Sequence, residues 1–179
     1  MHPVLKSSLD RLAKQVETLS LEEAQVQPLP GQGRWCAQQI IEHLILTYKQ
    51  TSDSLSRQLK TGRIPKNRRN VLEFVLRLQT IGLGYMPSGI PAMRAVRPTD
   101  YDPESGAKIA ERFIAAAEEM DGLLAECRRR FGIQPCGEHA YYGVMRVDEW
   151  RRYHATHAKH HLPQLREAIR YARSPKASA

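Results

Sequence analysis

The densest chemistry in this sequence lies between His154 and Gln164, which reads HATHAKHHLPQ. His157 and His161 are four residues apart, and on a helix that spacing puts both imidazoles on one face with their Cβ atoms ~6 Å apart. Two neutral ring nitrogens can then reach one ion. Imidazole suits zinc, nickel, cobalt and iron alike, so one further ligand from a neighbouring helix would complete a strong site. His43, in the segment RWCAQQIIEHL, is the one internal histidine on the second helix. The same spacing also describes two solvated surface imidazoles, and burial of that face decides between the readings.

The last helix must position the pair. It is expected over 147–172, with an inward stripe of Val147, Trp150, His154, His157, His161, Gln164 and Ala168 at alternating three- and four-residue steps. His43 is set among Ile40, Ile41, Leu44 and Thr47. Buried imidazoles cost free energy unless a ligand or hydrogen bond satisfies them, which makes ligation of a divalent ion by His43, His157 and His161 the economical reading. His154, one turn earlier, and His160, on the flank, are candidates for a supporting partner or a substrate contact. Thr47, Tyr48, Gln164 and His154 are expected near the cavity mouth. Glu42 falls on another helical face and is not expected to serve as a base. His139, in GEHAYYG, reads as a turn residue, and His2 belongs to a terminus.

Three other helices frame this one. Val4, Leu5, Leu9, Leu12, Ala13, Val16 and Leu19 mark a first helix over 3–19. Pro28, Pro30, Gly31 and Gly33 break the pattern, and a second helix runs from Trp35 to about Leu59. Val71 to Ile81 reads as a shorter apolar helix, followed by a Gly- and Pro-rich excursion from Gly82 to Asp102 of a length that often contributes to a site. Ile109, Phe113, Ala117, Met120, Leu124 and Cys127 mark a third long helix ending near Arg130 and Gly132. No strand pattern persists. The expectation is an all-α, four-helix bundle, up-down-up-down, with an irregular insertion between helices 2 and 3, forming one domain over 1–172 with a disordered tail at 173–179.

The 179 residues are 41% hydrophobic and 26% charged, a globular balance that excludes fibrous and disordered classes. No apolar run approaches the ~18 residues of a membrane span, and Asp10, Lys14 and Glu17 occupy the place where a signal peptide needs an apolar core. A cytoplasmic protein without a membrane partner is expected. Cys36, Cys127 and Cys136 lack CxxC spacing and read as reduced, buried thiols. The net charge of +8 includes a basic stretch from Arg57 to Arg69. That stretch has no aromatic residue for base stacking and no zinc-finger spacing, so a nucleic-acid partner is the weakest of the readings.

Trp35, Glu42 and His43 on one helix, followed by His157, His160, His161 and Gln164 on the last, resemble the DinB-like (DinB/YfiT-like) superfamily of metal-binding bundles. The segment HAYYGVMRVDEW before the last helix is similar to its subgroup known as domain of unknown function 1569. The resemblance implies an ion held by one histidine of the second helix and an HxxxH pair of the last, matching His43, His157 and His161. It further implies a transferase or isomerase using a low-molecular-weight thiol, or a bound metal without turnover, and often a homodimer. Many relatives follow the pair with Arg-Gly where this chain has Leu162 and Pro163, and proline inside a helix tends to kink it.

Two functional expectations follow. The first is a metal-dependent transferase or hydrolase acting on a small molecule, with zinc or nickel as its ion, because a divalent cation makes bound water or thiol nucleophilic near neutral pH. The second is a non-catalytic, metal-stabilised binding or stress-response module.

Overall fold

The computed structural model describes residues 1–29, 33–66, 71–89 and 91–174. Pro3 opens helix α1 (Pro3–Val16), where its fixed φ and missing N–H suit the first turn, and the His2 side chain accepts from the amide of Val4. The helix ends three residues short of the expected 19. Ser20 takes over as the cap of a separate short helix, α2 (Leu21–Gln25), through a reciprocal capping box with Glu23.

Helix α3 (Ala37–Thr61) is capped by Cys36, with Gln39 returning its amide bond, and stops at Gly62 in the left-handed conformation. A short helix α4 (Val71–Arg77) runs directly into a π-helical turn, Leu78–Gly82. An irregular stretch then leads to a 3-10 turn at Arg94–Val96. Helix α5 (Gly106–Phe131) follows. The next connection contains a two-residue antiparallel pair, β1 (Glu138–His139) with β2 (Gly143–Val144), which is too short to leave a period-two pattern in the sequence. Helix α6 (Val147–Ala172) passes through Pro163 without interruption.

The fold is mostly helical. Helix α3 lies against α5 and α6, and α1 lies against α5 and α6. Their shared interior holds Leu5, Leu9 and Leu12 from α1, Ile41, Leu44 and Tyr48 from α3, and Ile109, Phe113, Met120 and Leu124 from α5. The buried leucine, isoleucine, methionine and phenylalanine side chains among these contribute roughly 1.5–3 kcal/mol each. Truncating Phe113 would cost about 3–5 kcal/mol.

A few expectations meet different ground. Arg173, expected to open a disordered tail, is held by Glu23 and by the carbonyl of Thr18. Residues 175–179 of that tail, the chain breakers Pro30 and Gly31, and Arg68 and Arg69 of the basic stretch lie outside the described residues. No helix among the described residues is long and apolar enough to cross a membrane.

Candidate metal centre

Helix α3 brings His43, and helix α6 brings His157 and His161, into one buried cluster, each residue only 5% exposed. His43 Nε2 lies 3.1 Å from His157 Nε2, and His161 Nε2 lies 3.0 Å from the same atom. Three side chains, His43 lying 114 residues before His157, thus aim equivalent nitrogens at one point. An ion bound at about 2.0–2.1 Å with ligand angles of about 90–110° would hold its nitrogens about 2.8–3.4 Å apart. The observed spacings fall in that interval.

The proton positions sharpen this geometry. His43 Nδ1 is 2.8 Å from the backbone carbonyl of Val96, which can only accept, so Nδ1 carries the proton and Nε2 the lone pair. His161 Nδ1 donates in the same way to Gln164 Oε1 at 2.8 Å. Both outer rings therefore present bare lone pairs to His157 Nε2. A single N–H on His157 cannot align with both of them, and His157 Nδ1 is itself buried without a hydrogen-bond partner among the described residues. A cation at the point of convergence would satisfy all three nitrogens at once.

Burial also keeps the rings uncharged, the state in which imidazole ligates. It pushes His161 down to about 3 and His157 well below the ordinary histidine range, with the neighbouring rings adding to the shift. His43 is lowered by the same burial, partly offset by its bond to Val96.

The surrounding residues form a continuous support. Gln164 Oε1 faces His161 while its amide nitrogen lies 3.4 Å from His160 Nε2, and His160 Nδ1 donates to the Met86 carbonyl at 3.1 Å. One orientation of the Gln164 amide serves both contacts. Thr47 donates to the backbone carbonyl of His43. Trp35 packs over His43 and His161, and the Tyr153 ring stacks on His157.

The structure brings His43, His157, His161, His160 and Gln164 together and sets His154 apart. His154 is fully buried rather than at a mouth, 3.2 Å from Thr51 Oγ1 and stacked on Trp150. Tyr48 is fully buried beside it. His139 is more than a turn residue: its Nε2 meets the Tyr153 hydroxyl at 3.1 Å. Glu42 is taken up by Arg112, at 2.6 and 3.1 Å to its two oxygens, consistent with its placement off the site. A cavity of about 20 Å³, room for about one water, opens one turn along α3 and is lined by Thr47, Gln50, Thr51, Met93, His139 and Trp150 among others.

Val96 and Met86 escaped sequence reasoning because they act through backbone carbonyls, which carry no residue signature. The length of the 82–102 excursion was the only signal pointing to them.

The profile of one protein family, described as protein of unknown function (DUF1569), matches residues 5–168. No curated protein and no solved structure matches the chain.

Proposed function

The chain belongs to the DUF1569 family, and from its own geometry we propose that His43, His157 and His161 hold a divalent metal ion for chemistry on a small molecule. The convergence of three Nε2 atoms, two of them already stripped of protons by Val96 and Gln164, carries the reading. The contacts of α1, α3, α5 and α6 support an up-down-up-down four-helix bundle as the frame, and the ligand pattern supports placement among DinB/YfiT-like proteins. Zinc or nickel fits three imidazoles.

A bound divalent ion would supply a nucleophile at neutral pH, by lowering the pKa of water or of a low-molecular-weight thiol. The chain's own residues do the positioning. Gln164 and the Val96 carbonyl fix which nitrogen of each ring faces the centre. Trp35 and Tyr153 wall the rings on two sides, excluding water and strengthening electrostatic interactions there. Three neutral ligands leave a cationic centre, which suits an anionic substrate or a thiolate.

Elemental analysis of untagged protein purified without added metal tests the reading. About one ion per chain is expected, lost in His157→Ala; less than about 0.2 ion per chain, with no change in that variant, would overturn it. A second reading, a metal-stabilised module without turnover, is favoured by the burial of all three rings. It expects chelation to unfold the domain and thiol conjugation to electrophiles to be absent, whereas the enzyme reading expects chelator-sensitive conjugation.

A further inference from the structure

Helix α4 is turned inside out. Val71, Leu72, Phe74, Val75 and Leu78 follow helical spacing along one face, and that face is in solvent, with exposures of 51–80%. The opposite face is the one that packs. Arg77 donates to the carbonyls of Tyr142 and Val144 and pairs with Glu149, while Thr80 and Ile81 are buried. Polar anchoring of the inner face fixes the apolar stripe outward, and Leu83 and Tyr85 extend it.

Charge identifies what would cover this face. Between Asp53 and Asp100 the sequence holds nine Lys and Arg residues and one acid, Glu73. The excess of this segment equals the +8 of the whole chain, so the remainder is neutral. Arg57, Lys60, Arg63 and Lys66, just before α4, are all exposed. A second copy of the chain would bring this cationic segment against itself, with no acidic patch in the segment to receive it.

We propose that the outward face of α4, with its flanking cations, docks the protein on an anionic lipid surface, the apolar stripe entering the acyl boundary and the basic residues meeting headgroups. The absence of a membrane-spanning run does not bear on this mode, which needs a single amphipathic turn or two and cations beside it. The same insertion that carries the face also supplies the Met86 and Val96 carbonyls to the histidine cluster.

Co-sedimentation of the full chain with phosphatidylglycerol–phosphatidylcholine vesicles, against pure phosphatidylcholine vesicles, tests the proposal. Binding is expected to anionic vesicles alone, and to fall at least about tenfold in about 1 M salt, where the screening length shrinks to about 3 Å. The triple variant Leu72→Ser, Phe74→Ser, Leu78→Ser, at exposed positions, and separately Arg63→Gln with Lys66→Gln, should each lose about tenfold with an unchanged circular dichroism spectrum. Equal binding to neutral vesicles, no binding to either, or unaltered binding by both variants would overturn it. So would sedimentation equilibrium showing a dimer that the triple substitution dissolves, which would assign the face to a second copy.

Discussion

Gln164 Oε1 accepts the Nδ1–H of His161 at 2.8 Å from one turn further along α6, and thereby decides which nitrogen of that ring faces the cluster. Losing this bond frees the ring to flip or change tautomer while leaving all three imidazoles in place. Gln164→Leu is therefore expected to weaken metal affinity about 10–100-fold, the usual cost of removing such a partner, with little loss of stability. Competition with a chromophoric chelator measures it. An affinity equal to the parent's would remove Gln164 from the site.

Acid sensitivity should come from the neighbouring buried rings as well. Burial lowers His154 to about 3 and His139 to about 4, so the unfolded chain, near 6.5, binds more protons than the folded one below that pH. Their contribution is fully present above pH 6.5 and is lost as pH falls toward the folded values, at up to about 1.4 kcal/mol per pH unit for each ring. Urea midpoints of chelator-treated protein are expected to drop steeply between about pH 6.5 and about pH 5. A flat profile across that window would contradict the burial of these imidazoles.

Gly106 begins α5 where it presses on the end of α1, its amide bonded to the Leu19 carbonyl at 3.0 Å. A Cβ there would sit 1.9 Å from the Val16 carbonyl oxygen and 2.9 Å from backbone atoms of Leu19. Backbone cannot rotate away as a side chain would. Gly106→Ala is expected to cost about 3 kcal/mol or more, seen as a large fall in melting temperature despite alanine's better helix propensity.

Arg112 bridges Glu42 and Glu104, and Glu42 is nearly buried while the arginine remains about a third exposed. Arg112→Met strands a buried carboxylate and should destabilise by about 2 kcal/mol, discounted for the partly solvated partner. Replacing Glu42 by Met in the same chain should restore most of that loss. A double-mutant cycle with no coupling would mean the pair contributes nothing to the α3–α5 contact.

His43, 114 residues away from His157, rests on resemblance and on being the one histidine of its helix, whereas the His157–His161 pair was legible because its signal is local, four-residue spacing plus an apolar stripe. The long helices were legible for the same reason, and α6 spans the expected 147–172. Helix α2 was not, since five residues are too few to display periodicity, although the Ser20 and Glu23 capping pair is visible in hindsight. The direction of α4 was beyond reach. Periodicity marks an apolar stripe but not whether that stripe turns inward, and only the bonds of Arg77 settle its orientation. A seam position does not reveal depth along the helix, so the full burial of His154, expected near the mouth, is visible in the structure alone.

His43 and His157 are 114 residues apart, and the Val96 carbonyl that orients His43 comes from the segment between them. A ribosome delivers these parts in order. The first ring and its orienting carbonyl emerge early, but the cluster cannot close until His161 has left the exit tunnel, with most of the helical core already synthesised. An ion held by all three rings would therefore load late in synthesis, after the segments that supply most of the helical core.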